Sequence, residues 1–554
     1  MTKQLGSGAD EQAVLRIENL CVETHGSGTP RTIVHDISFD VHAGEMLCVV
    51  GESGSGKSVT SMAAMGLLPK ASLRISQGAI YLGNENLVTA TPARWRKIRA
   101  SHIAMVFQEP MTALNPVKRI GEQVDEVLRL HERMSRGERR RRVLEMFESV
   151  RLPDVERMYR SFPHQLSGGQ RQRIVIAMAL ILKPEVLIAD EPTTALDVTT
   201  QKQILSLIKE LQEIQRTAVV VITHDFGVVA EVADRILVMN QGHVVEAGTR
   251  AEILCAPQQA YTKQLLSSVP SLAPVPRAAL TSAKVLEVIG LEKHFEQKSL
   301  FGKTRRTHAL KNVSMSVRRG EILGVVGESG SGKSTLARCI MRLTDCSAGD
   351  IFLEDIPLGT LSPQALRPVR KRVQMVFQDP YRSLNPRLKV GESLIEGLLN
   401  FGMPRQQAWQ KAADAIQFVG LDPEVLHRYP HQFSGGQRQR LCIARAVVME
   451  PDVLVADEAV SALDVTVQNQ VLALLEKIRE TLGLAVVFIT HDLRVAAQVC
   501  DTIVVMQRGE IVENGAAATV LTSPSSSYTQ ALIDAAPARD WDFQNFRALT
   551  PLVA

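Results

Sequence analysis

Short runs of apolar residues, each of strand length and bounded by glycine or polar residues, occur along the chain as two sets in the same order. They cover residues 46–50, 186–189 and 218–222 in the first set, and residues 322–326, 453–456 and 485–489 in the second. Segments with helical periodicity separate the runs. Continuous apolar strands that alternate with helices are typical of a parallel sheet covered on both faces. The pattern therefore predicts an α/β fold present in two copies.

A further repeated segment follows the last buried run of each copy. ILVMNQGHVVEAG begins at Ile236, and IVVMQRGEIVENG begins at Ile503. Each segment places two apolar runs on either side of a short turn. This arrangement predicts a strand, a turn and a second strand after each sheet.

The composition of the 554 residues is that of a globular protein, and a net charge of +4 gives no argument for nucleic acid as the main partner. The seven cysteines never occur as Cys-x-x-Cys. We therefore expect a reduced compartment, with neither a disulfide framework nor a zinc site. The N-terminal residues lack an apolar signal core, and no apolar run approaches the roughly 18 residues of a membrane helix. Any membrane role is expected to come through partners.

The predicted domain boundaries follow the two copies and the composition between them. The five predicted segments are an N-terminal tail at residues 1–13, a first domain at 14–269, a linker at 270–284, a second domain at 285–534 and a C-terminal tail at 535–554. Pro270, Pro274 and Pro276 predict a stiff, unfolded linker. The C-terminal tail matches nothing in the first copy, and its aromatic residues leave docking and mobility as open alternatives.

The sequence GESGSGKS occurs at residues 51–58 and again at 327–334, each time after a predicted strand. It fits the pattern G-x-x-x-x-G-K-[ST], in which backbone N–H groups ring a phosphate and the following helix adds the positive end of its dipole. A glycine-rich turn is the bland alternative, and two copies with downstream partners make it negligible. The predicted nucleotide-binding residues of the two loops are Gly51, Ser53, Gly54, Ser55, Gly56, Lys57, Ser58, Val59, Gly327, Ser329, Gly330, Ser331, Gly332, Lys333, Ser334 and Thr335.

Each side chain in these loops has a predicted task. Lys57 and Lys333 would hold the β- and γ-phosphates of ATP. Ser58 and Ser334 would bind Mg²⁺. The sequence therefore predicts ATP and Mg²⁺ as ligands of both copies.

Pairs of carboxylates end the second buried strand of each copy. They are Asp190 with Glu191, and Asp457 with Glu458. In open α/β folds, side chains at this strand end face the nucleotide cleft. The aspartate of each pair is predicted to bind Mg²⁺, and the glutamate to orient or deprotonate the attacking water. A pair that merely caps a helix is the weaker alternative.

A histidine ends the third buried strand of each copy. His224 and His491 are predicted to contact the γ-phosphate of ATP. A strand-end histidine met alone is more often structural. The phosphate loop and the carboxylates of the same copy favour the functional interpretation here.

The segments LSGGQ and FSGGQ are too far along the chain to belong to the phosphate loops. Ser167 and Ser434 are placed to cap the following helices, whose ends the glycines leave open to an anion. These segments resemble the signature motif of the ATP-binding cassette (ABC) family, which completes the site of the opposite domain. The resemblance covers nearly the whole chain.

The resemblance implies two nucleotide-binding domains, each with a RecA-like parallel-sheet core, an antiparallel β subdomain and a helical subdomain. They would form an internal pseudo-dimer with two ATP molecules bound head to tail. The first site would combine Lys57, Gln108, Asp190, Glu191 and His224 with Ser434, Gly435, Gly436 and Gln437. The second site would combine Lys333, Gln378, Asp457, Glu458 and His491 with Ser167, Gly168, Gly169 and Gln170. Gln108 and Gln378 would also bind Mg²⁺.

One difference between the copies concerns the base of ATP. In this family an aromatic residue before the phosphate loop often stacks on adenine, and Phe295 lies where that residue is expected. The first copy has Thr24 at the similar place. The first site is therefore expected to hold adenine less tightly.

Other segments resemble one subfamily, the importers of peptides, opines and nickel. They include FQEPMTALNPVKRIGEQV, FQDPYRSLNPRLKVGESL, YTKQLLSSVP and YTQALIDAAP. The resemblance implies an ATPase that powers import of dipeptides, oligopeptides, glutathione or similar small solutes. Many relatives carry a cysteine cluster for an iron–sulfur centre. This chain has no cysteine after Cys500, and only Cys255 in the matching part of the first copy, so no cluster is expected.

The same resemblance implies partners and a location. Clefts near Gln108 and Gln378 would grip two integral-membrane permease subunits, and an extracytoplasmic solute-binding protein would act indirectly. The chain would lie peripherally on the cytoplasmic face of the bacterial inner membrane, without nucleic acid as a partner.

Three other functions compete with this interpretation. A ribosome-associated tandem ABC ATPase usually has a long charged linker, and a DNA-repair cassette has zinc modules or coiled coils; neither is present in the sequence. An ABC exporter is the nearest alternative, because no single residue forces import. Basic stretches at 94–99 and 136–142 are more simply solvated helix faces than nucleic-acid sites.

Overall fold

The computed structural model describes residues 13–26, 29–108, 110–193, 196–277, 280–297, 305–461 and 463–549. They divide into two compact units. Unit 1 takes the described residues of Met1–Leu196, Thr200–Val269 and Asp540–Ala554, and unit 2 takes those of Asp197–Thr199 and Pro270–Arg539. All but one residue of the predicted N-terminal tail lie outside the described residues.

The strands, numbered along the chain, are β1 Leu15–Thr24, β2 Thr32–Val41, β3 Met46–Val50, β4 Leu73–Leu82, β5 Glu85–Asn86, β6 Ile103–Val106, β7 Val186–Asp190, β8 Ala218–Thr223, β9 Arg235–Asn240, β10 His243–Thr249, β11 Lys284–Gln297, β12 Arg305–Arg318, β13 Ile322–Val326, β14 Ala348–Leu353, β15 Ile356–Pro357, β16 Val373–Val376, β17 Val453–Asp457, β18 Ala485–Ile489, β19 Thr502–Gln507, β20 Glu510–Ala516, β21 Trp541–Asp542 and β22 Arg547–Ala548.

The α-helices are α1 Lys57–Ala64, α2 Pro92–Ile98, α3 Pro110–Ala113, α4 Ile120–His131, α5 Arg136–Ser149, α6 Val155–Arg160, α7 Gly168–Leu180, α8 Val198–Gln215, α9 Phe226–Val232, α10 Arg250–Cys255, α11 Ala260–Ser267, α12 Lys333–Ile340, α13 Pro363–Arg372, α14 Pro380–Ser383, α15 Val390–Asn400, α16 Arg405–Phe418, α17 Gly435–Val447, α18 Val465–Leu482, α19 Leu493–Val499, α20 Ala517–Thr522 and α21 Ser527–Ala535. Short 3₁₀ turns lie between several of these elements.

The main sheet of unit 1 has the strand order β10-β9-β3-β8-β7-β6. Strand β3 pairs in parallel with β8 and β9, and β10 closes the edge antiparallel to β9. Every residue of β3, β7 and β8 is buried. Burial on both faces is why these strands are continuous apolar runs and not alternating ones. The predicted α/β fold, including the strand-turn-strand at its edge, is confirmed.

A smaller antiparallel sheet and a helical region complete unit 1. The small sheet has the order β2-β1-β4-β5. Helices α3 to α7 stand between β6 and β7 in the chain. Unit 2 repeats both sheets, with orders β12-β11-β14-β15 and β16-β17-β18-β13-β19-β20. The predicted antiparallel β subdomain and helical subdomain are therefore present in each unit.

The segment predicted as a free linker is in contact with unit 2. Val275 N–H donates to the carbonyl of Ala497 at 3.1 Å. Arg277 binds the carboxylate of Glu476 and donates to the carbonyl of Gln498 at 2.7 Å. A proline-rich segment cannot build its own hydrogen-bonded ladder, so its backbone groups take partners near the end of α19. Residues 270–277 have no helix or strand, and these contacts hold Val275 and Arg277 against the rest of unit 2.

The described part of the C-terminal tail belongs to unit 1 from Asp540 onward. Strands β21 and β22 form a hairpin, and the segment after Asp540 contacts α10 and α11. The rings of Trp541 and Phe543 stack with centroids 6.0 Å apart, and Phe543 is buried. Of the two open alternatives for this tail, the structure supports docking.

The core of unit 2 offers a test of the fold. Phe488 on β18 is fully buried, whereas Phe401 at the end of α15 is 40% exposed. Truncating the buried ring leaves a cavity, so Phe488→Ala is expected to lower the free energy of unfolding by about 3–5 kcal/mol. Phe401→Ala is the control, with an expected change within about 0.5 kcal/mol. Urea-unfolding midpoints of the two variants measure the difference, and equal midpoints would contradict this packing.

Candidate functional site

Each phosphate loop begins with a glycine directly after a strand of the main sheet, and no other residue could replace this glycine. Gly51 follows β3 with φ +151°, and a Cβ there would lie 2.1 Å from the carbonyl oxygen of Met239. Gly327 follows β13 with φ +148°, and its Cβ would lie 2.2 Å from the oxygen of Met506. The close approach of backbone to backbone fixes the direction in which each loop begins.

The lysine of each loop turns back onto the loop's own backbone. Lys57 Nζ donates to the carbonyls of Gly51 and Glu52, both at 2.8 Å. Lys333 Nζ makes the matching bonds, at 2.7 Å and 2.9 Å. Both lysines are buried, and burial lowers the pKa of Lys333 despite the carboxylates nearby. The loop therefore carries a desolvated positive charge at the place where a phosphate would be bound.

The loop serine meets the strand-end aspartate in both units. Ser58 Oγ donates to Asp190 Oδ1 at 3.3 Å, and Ser334 Oγ donates to Asp457 Oδ1 at 3.3 Å. Burial raises the pKa of Asp190 and of Asp457, and the neighbouring glutamate raises each further. Paired hydroxyl and carboxylate oxygens are hard donors of the kind that Mg²⁺ takes. These residues fit the magnesium ion that the sequence predicts.

The glutamate that follows each aspartate has a strained backbone. Glu191 has φ +46° and Glu458 has φ +47°, in the left-handed region that side chains other than glycine rarely adopt. Their N–H groups bond the carbonyls of Ile222 and Ile489 at 2.8 Å and 2.9 Å. Strain of this kind persists where the surroundings impose it, and it is common at functional sites.

A glutamine and a histidine hold each of these glutamates. Gln108 Nε2 donates to Glu191 Oε2 at 2.7 Å, and His224 Nδ1 lies 3.0 Å from Glu191 Oε1. The structure thus brings the predicted catalytic pair together with the predicted glutamine. The contact of Gln108 is with the glutamate and not with Ser58 or Asp190, so its role as a magnesium ligand stays a prediction.

The same arrangement recurs in unit 2. Gln378 Nε2 donates to Glu458 Oε2 at 2.6 Å, and His491 Nδ1 lies 3.5 Å from Glu458 Oε1. Burial opposes a charge on His491, but the hydrogen bond and charge of Glu458 outweigh it and raise the histidine pKa. Burial raises the pKa of Glu458, and the contact with His491 reverses that effect and leaves it lowered. When His491 is protonated, the two groups form an ion pair.

The signature segments form capping boxes at the starts of α7 and α17. Ser167 Oγ accepts from Gln170 N–H at 3.3 Å, and Gln170 Oε1 accepts from Ser167 N–H at 3.0 Å. Ser434 and Gln437 make the same two bonds at 3.4 Å and 3.1 Å. The predicted helix caps are present. The predicted pairing of these segments with the opposite phosphate loops stays a prediction.

The second glycine of each signature segment has a packing role that the sequence did not indicate. A Cβ on Gly169 would lie 2.5 Å from Thr200 Cγ2, and one on Gly436 would lie 2.2 Å from Val467 Cγ1. These contacts bring α7 close to α8 and α17 close to α18. These glycines therefore allow close helix packing, in addition to their predicted role of leaving the helix N-terminus open to an anion.

The aromatic residue predicted for adenine lies on an exposed strand end. Phe295 is 48% exposed, and its place in β11 corresponds to Thr24 in β1, where Thr24 N–H bonds the carbonyl of Arg31 at 2.9 Å. Lys293 Nζ lies 5.0 Å from the centroid of the Phe295 ring. The contact of Lys293 with this ring was not predicted from the sequence, although two residues spaced by two on a strand share a face.

Several arginines of the basic stretches form ion pairs within their own unit. Arg94 binds the carboxylate of Glu85, and Arg139 binds that of Asp125 at 2.9 Å. Arg140 binds Glu156 at 2.5 Å. These contacts are consistent with the interpretation of both stretches as solvated helix faces.

Comparisons with known proteins establish the family of this chain. A family model for "ABC transporter" matches residues 34–194 and 310–461, more than half of the chain. The chain belongs to the ABC transporter family. The ABC cassettes of this family bind and hydrolyse ATP, so each unit contains one ABC ATPase domain. No helix in the described parts of this ABC protein is long and apolar enough to cross a membrane.

A second family model concerns the ends of the two cassettes. The model for "Oligopeptide/dipeptide transporter, C-terminal region" matches residues 245–292 and 512–550. Most of the C-terminal tail therefore lies in a region that has a counterpart in the first copy. The expectation that the tail matches nothing there was wrong.

Relatives with similar sequences carry the same two cassettes. The glutathione import ATP-binding protein GsiA of Salmonella choleraesuis (strain SC-B67) is 44% identical over 96% of this chain and 90% of its own length. The protein of that description from Escherichia coli (strain K12) has the same identity and coverage.

Solved structures of single cassettes are also similar. The dimeric structure of MJ0796, a bacterial ABC transporter cassette, is 29% identical and covers 42% of this ABC chain and 98% of its own, with a TM-score of 0.38. CbiO1 from Clostridium perfringens, part of the ABC transporter complex CbiONQ, is 28% identical, covers 43% and 91%, and has a TM-score of 0.37.

The ion pair in unit 2 predicts a pH dependence. A raised pKa makes His491 stabilising below its ordinary value of 6.5, with the contribution lost as pH rises through the raised value. A lowered pKa makes Glu458 stabilising above its ordinary value of 4.5, with the contribution lost as pH falls through the lowered one. The stability advantage of the native chain over Glu458→Gln is therefore expected to be largest between these two values. Urea unfolding from pH 3 to pH 9 measures it.

The exposed carboxylate of Glu480, which pairs with Arg479, provides the control for that measurement. Glu480→Gln is expected to change stability little at every pH, because exposed pairs contribute roughly 0–1 kcal/mol. A constant difference between the native chain and Glu458→Gln across the pH range would contradict the ion pair.

Both glutamates are expected to serve hydrolysis. Replacing Glu191 and Glu458 together by glutamine removes the general base from both sites and is expected to lower ATP turnover by roughly 10²- to 10⁴-fold. Each single variant is expected to lower it because it disables one site. Glu185→Gln is the control, since Glu185 is exposed and pairs with His102. If one single variant left turnover unchanged, its site would not be catalytic.

Proposed function

We propose that this chain is the ATPase subunit that powers an importer of peptides or similar small solutes across the cytoplasmic membrane. One observation carries the proposal. Each complete phosphate-binding and hydrolytic centre is followed by a match to the oligopeptide/dipeptide transporter C-terminal region, and this occurs twice in one chain. The relatives described as glutathione import ATP-binding proteins match 96% of this chain and support the direction of transport.

Each site's own residues account for hydrolysis. Lys57 and Lys333 supply the desolvated positive charge that attracts the phosphates. Glu191 and Glu458, held by a glutamine and a histidine each, are oriented to accept a proton from the attacking water. Holding the glutamate by two side chains fixes the direction of its carboxylate before the substrate arrives, which lowers the cost of orienting it.

The magnesium ion is proposed for the oxygen donors already described. Ser58 with Asp190, and Ser334 with Asp457, would hold it. When bound, the ion neutralises charge on the phosphate oxygens. A cation there would also offset the burial that raises the pKa of Asp190.

Closure of the two cassettes over ATP is the proposed power stroke. The signature segments of Ser434–Gln437 and Ser167–Gln170 would each complete the site of the other cassette. Two integral-membrane permease subunits would be bound near Gln108 and Gln378, and an extracytoplasmic solute-binding protein would deliver the solute. ATP binding would favour the closed form and hydrolysis the open one.

The location follows from those partners. The chain would lie peripherally at the cytoplasmic face of the membrane. The solute would pass through the permease and never contact this chain, so the cargo class rests on the subfamily and the relatives.

Co-purification tests this function. The double variant Glu191→Gln, Glu458→Gln is isolated from membranes with ATP and Mg²⁺, under which slow hydrolysis should trap the closed complex. We expect two integral-membrane proteins to be recovered with it. A chain carrying Lys57→Ala and Lys333→Ala is the control, because it lacks the phosphate contacts and should not be trapped.

Two outcomes would contradict the proposal. Recovery of ribosomes or nucleic acid in place of membrane proteins would favour a soluble cassette factor. A recovered membrane complex that moves dipeptides and glutathione only outward, when reconstituted in vesicles, would favour an exporter.

A further inference from the structure

The first peptide group of each phosphate loop is held at both of its ends. The carbonyl of Gly51 accepts from Lys57 Nζ at 2.8 Å, and the N–H of the same peptide, on Glu52, donates to Tyr261 Oη at 3.3 Å. A tyrosine hydroxyl from far along the chain therefore contacts the loop that binds phosphate.

Unit 2 has the same contact, built from its own residues. The carbonyl of Gly327 accepts from Lys333 Nζ at 2.7 Å, and Glu328 N–H donates to Tyr528 Oη at 3.2 Å. Two copies of the contact, with distances that agree within 0.1 Å, indicate a retained feature of the cassette and not an accident of packing.

The helices that carry the two tyrosines are themselves anchored. Glu246 on β10 accepts from the N–H groups of Gln258 and Gln259, at 2.7 Å and 3.2 Å, just before α11. Glu513 on β20 accepts from Ser525 and Ser526 at the same two distances before α21. A carboxylate that binds two N–H groups at a helix start fixes the position of that helix.

Both tyrosines lie in the region matched by the oligopeptide/dipeptide transporter model, outside the two ABC transporter matches. We propose that Tyr261 and Tyr528 are positioning residues, through which the C-terminal region of each cassette holds the phosphate loop in its ATP-binding shape. The proposal rests on ATP binding by the two sites and does not depend on import.

The chemistry suits a permanent contact. Burial raises the pKa of Tyr528 to about 12, so its hydroxyl stays neutral at physiological pH and accepts the Glu328 N–H bond. The peptide group that it fixes is the one whose carbonyl holds the lysine. Without the hydroxyl, only the lysine holds this peptide, so the loop is less ordered before phosphate binds and has a larger ordering cost when it does.

The test uses Tyr261→Phe and Tyr528→Phe, singly and together, in the full chain. Each change removes only the hydroxyl and keeps the ring. Loss of one hydrogen bond is expected to weaken ATP binding and raise KM for ATP by roughly 3- to 10-fold, with kcat little changed. Tyr159→Phe is the matched control, because that ring lies beside Arg140 in the helical region and away from the phosphate loop.

Amide hydrogen exchange gives a second readout that does not depend on activity. The amide N–H groups of Glu52 and Glu328 lose their acceptor in the variants. Their hydrogens are therefore expected to exchange faster in the chain without ATP. Unchanged ATP affinity together with unchanged exchange would overturn the proposal. A lower kcat or melting temperature with unchanged KM and exchange would also overturn it, since that result indicates a merely structural role. Neither readout needs a membrane partner, so failure here is distinct from failure of the importer proposal.

Discussion

The parallel pairing of three buried strands is the constraint on which both sites depend. In unit 1, β3 pairs with β8 and β8 with β7, in registers that join Val50 to Thr223 and Asp190 to Ile222. Parallel strands end at one edge of the sheet, so the phosphate loop after β3, the carboxylates after β7 and the histidine after β8 meet there. Unit 2 repeats this arrangement through β13, β18 and β17. A change of register in any pair would separate the loop from the glutamate.

Charge compensation follows from that geometry. The sheet edge brings an aspartate, a glutamate, a lysine and a histidine close together in each unit, with the aspartate and the lysine buried and the glutamate and the histidine half-buried. Such groups are costly to desolvate one by one, and their contacts offset the cost. The shifted pKa values of Asp457, Glu458 and His491 have this physical origin. The edge thus presents a held carboxylate and a positively charged loop, the two features that the proposed hydrolysis uses.

Local patterns were sufficient to predict the strands and the motifs, because apolar runs and glycine spacing depend on nearby residues. The family membership and the ATPase activity followed from the same motifs. The sequence did not indicate the left-handed backbone of Glu191 or the close approach of Gly169 to Thr200, because both depend on long-range packing. For the same reason, the sequence did not indicate the contacts of the linker at Val275 and left the docking of the tail at Phe543 open. The partners of both segments are distant in the chain.

The two units differ at the position predicted to stack on adenine, whereas their phosphate loops make matching contacts. Phe295 and Lys293 of unit 2 correspond to a region of unit 1 that has Thr24 in place of the ring. Because stacking on an aromatic ring contributes to binding of a base, the two sites are expected to differ in affinity but not in chemistry.

If both cassettes form a complete ATP site, the chain binds two ATP molecules at saturation. Titration calorimetry of the Glu191→Gln, Glu458→Gln variant with Mg²⁺ measures this number. We expect two molecules per chain, bound with different affinities. A stoichiometry of one, unaltered at high ATP concentration, would rule out two complete sites.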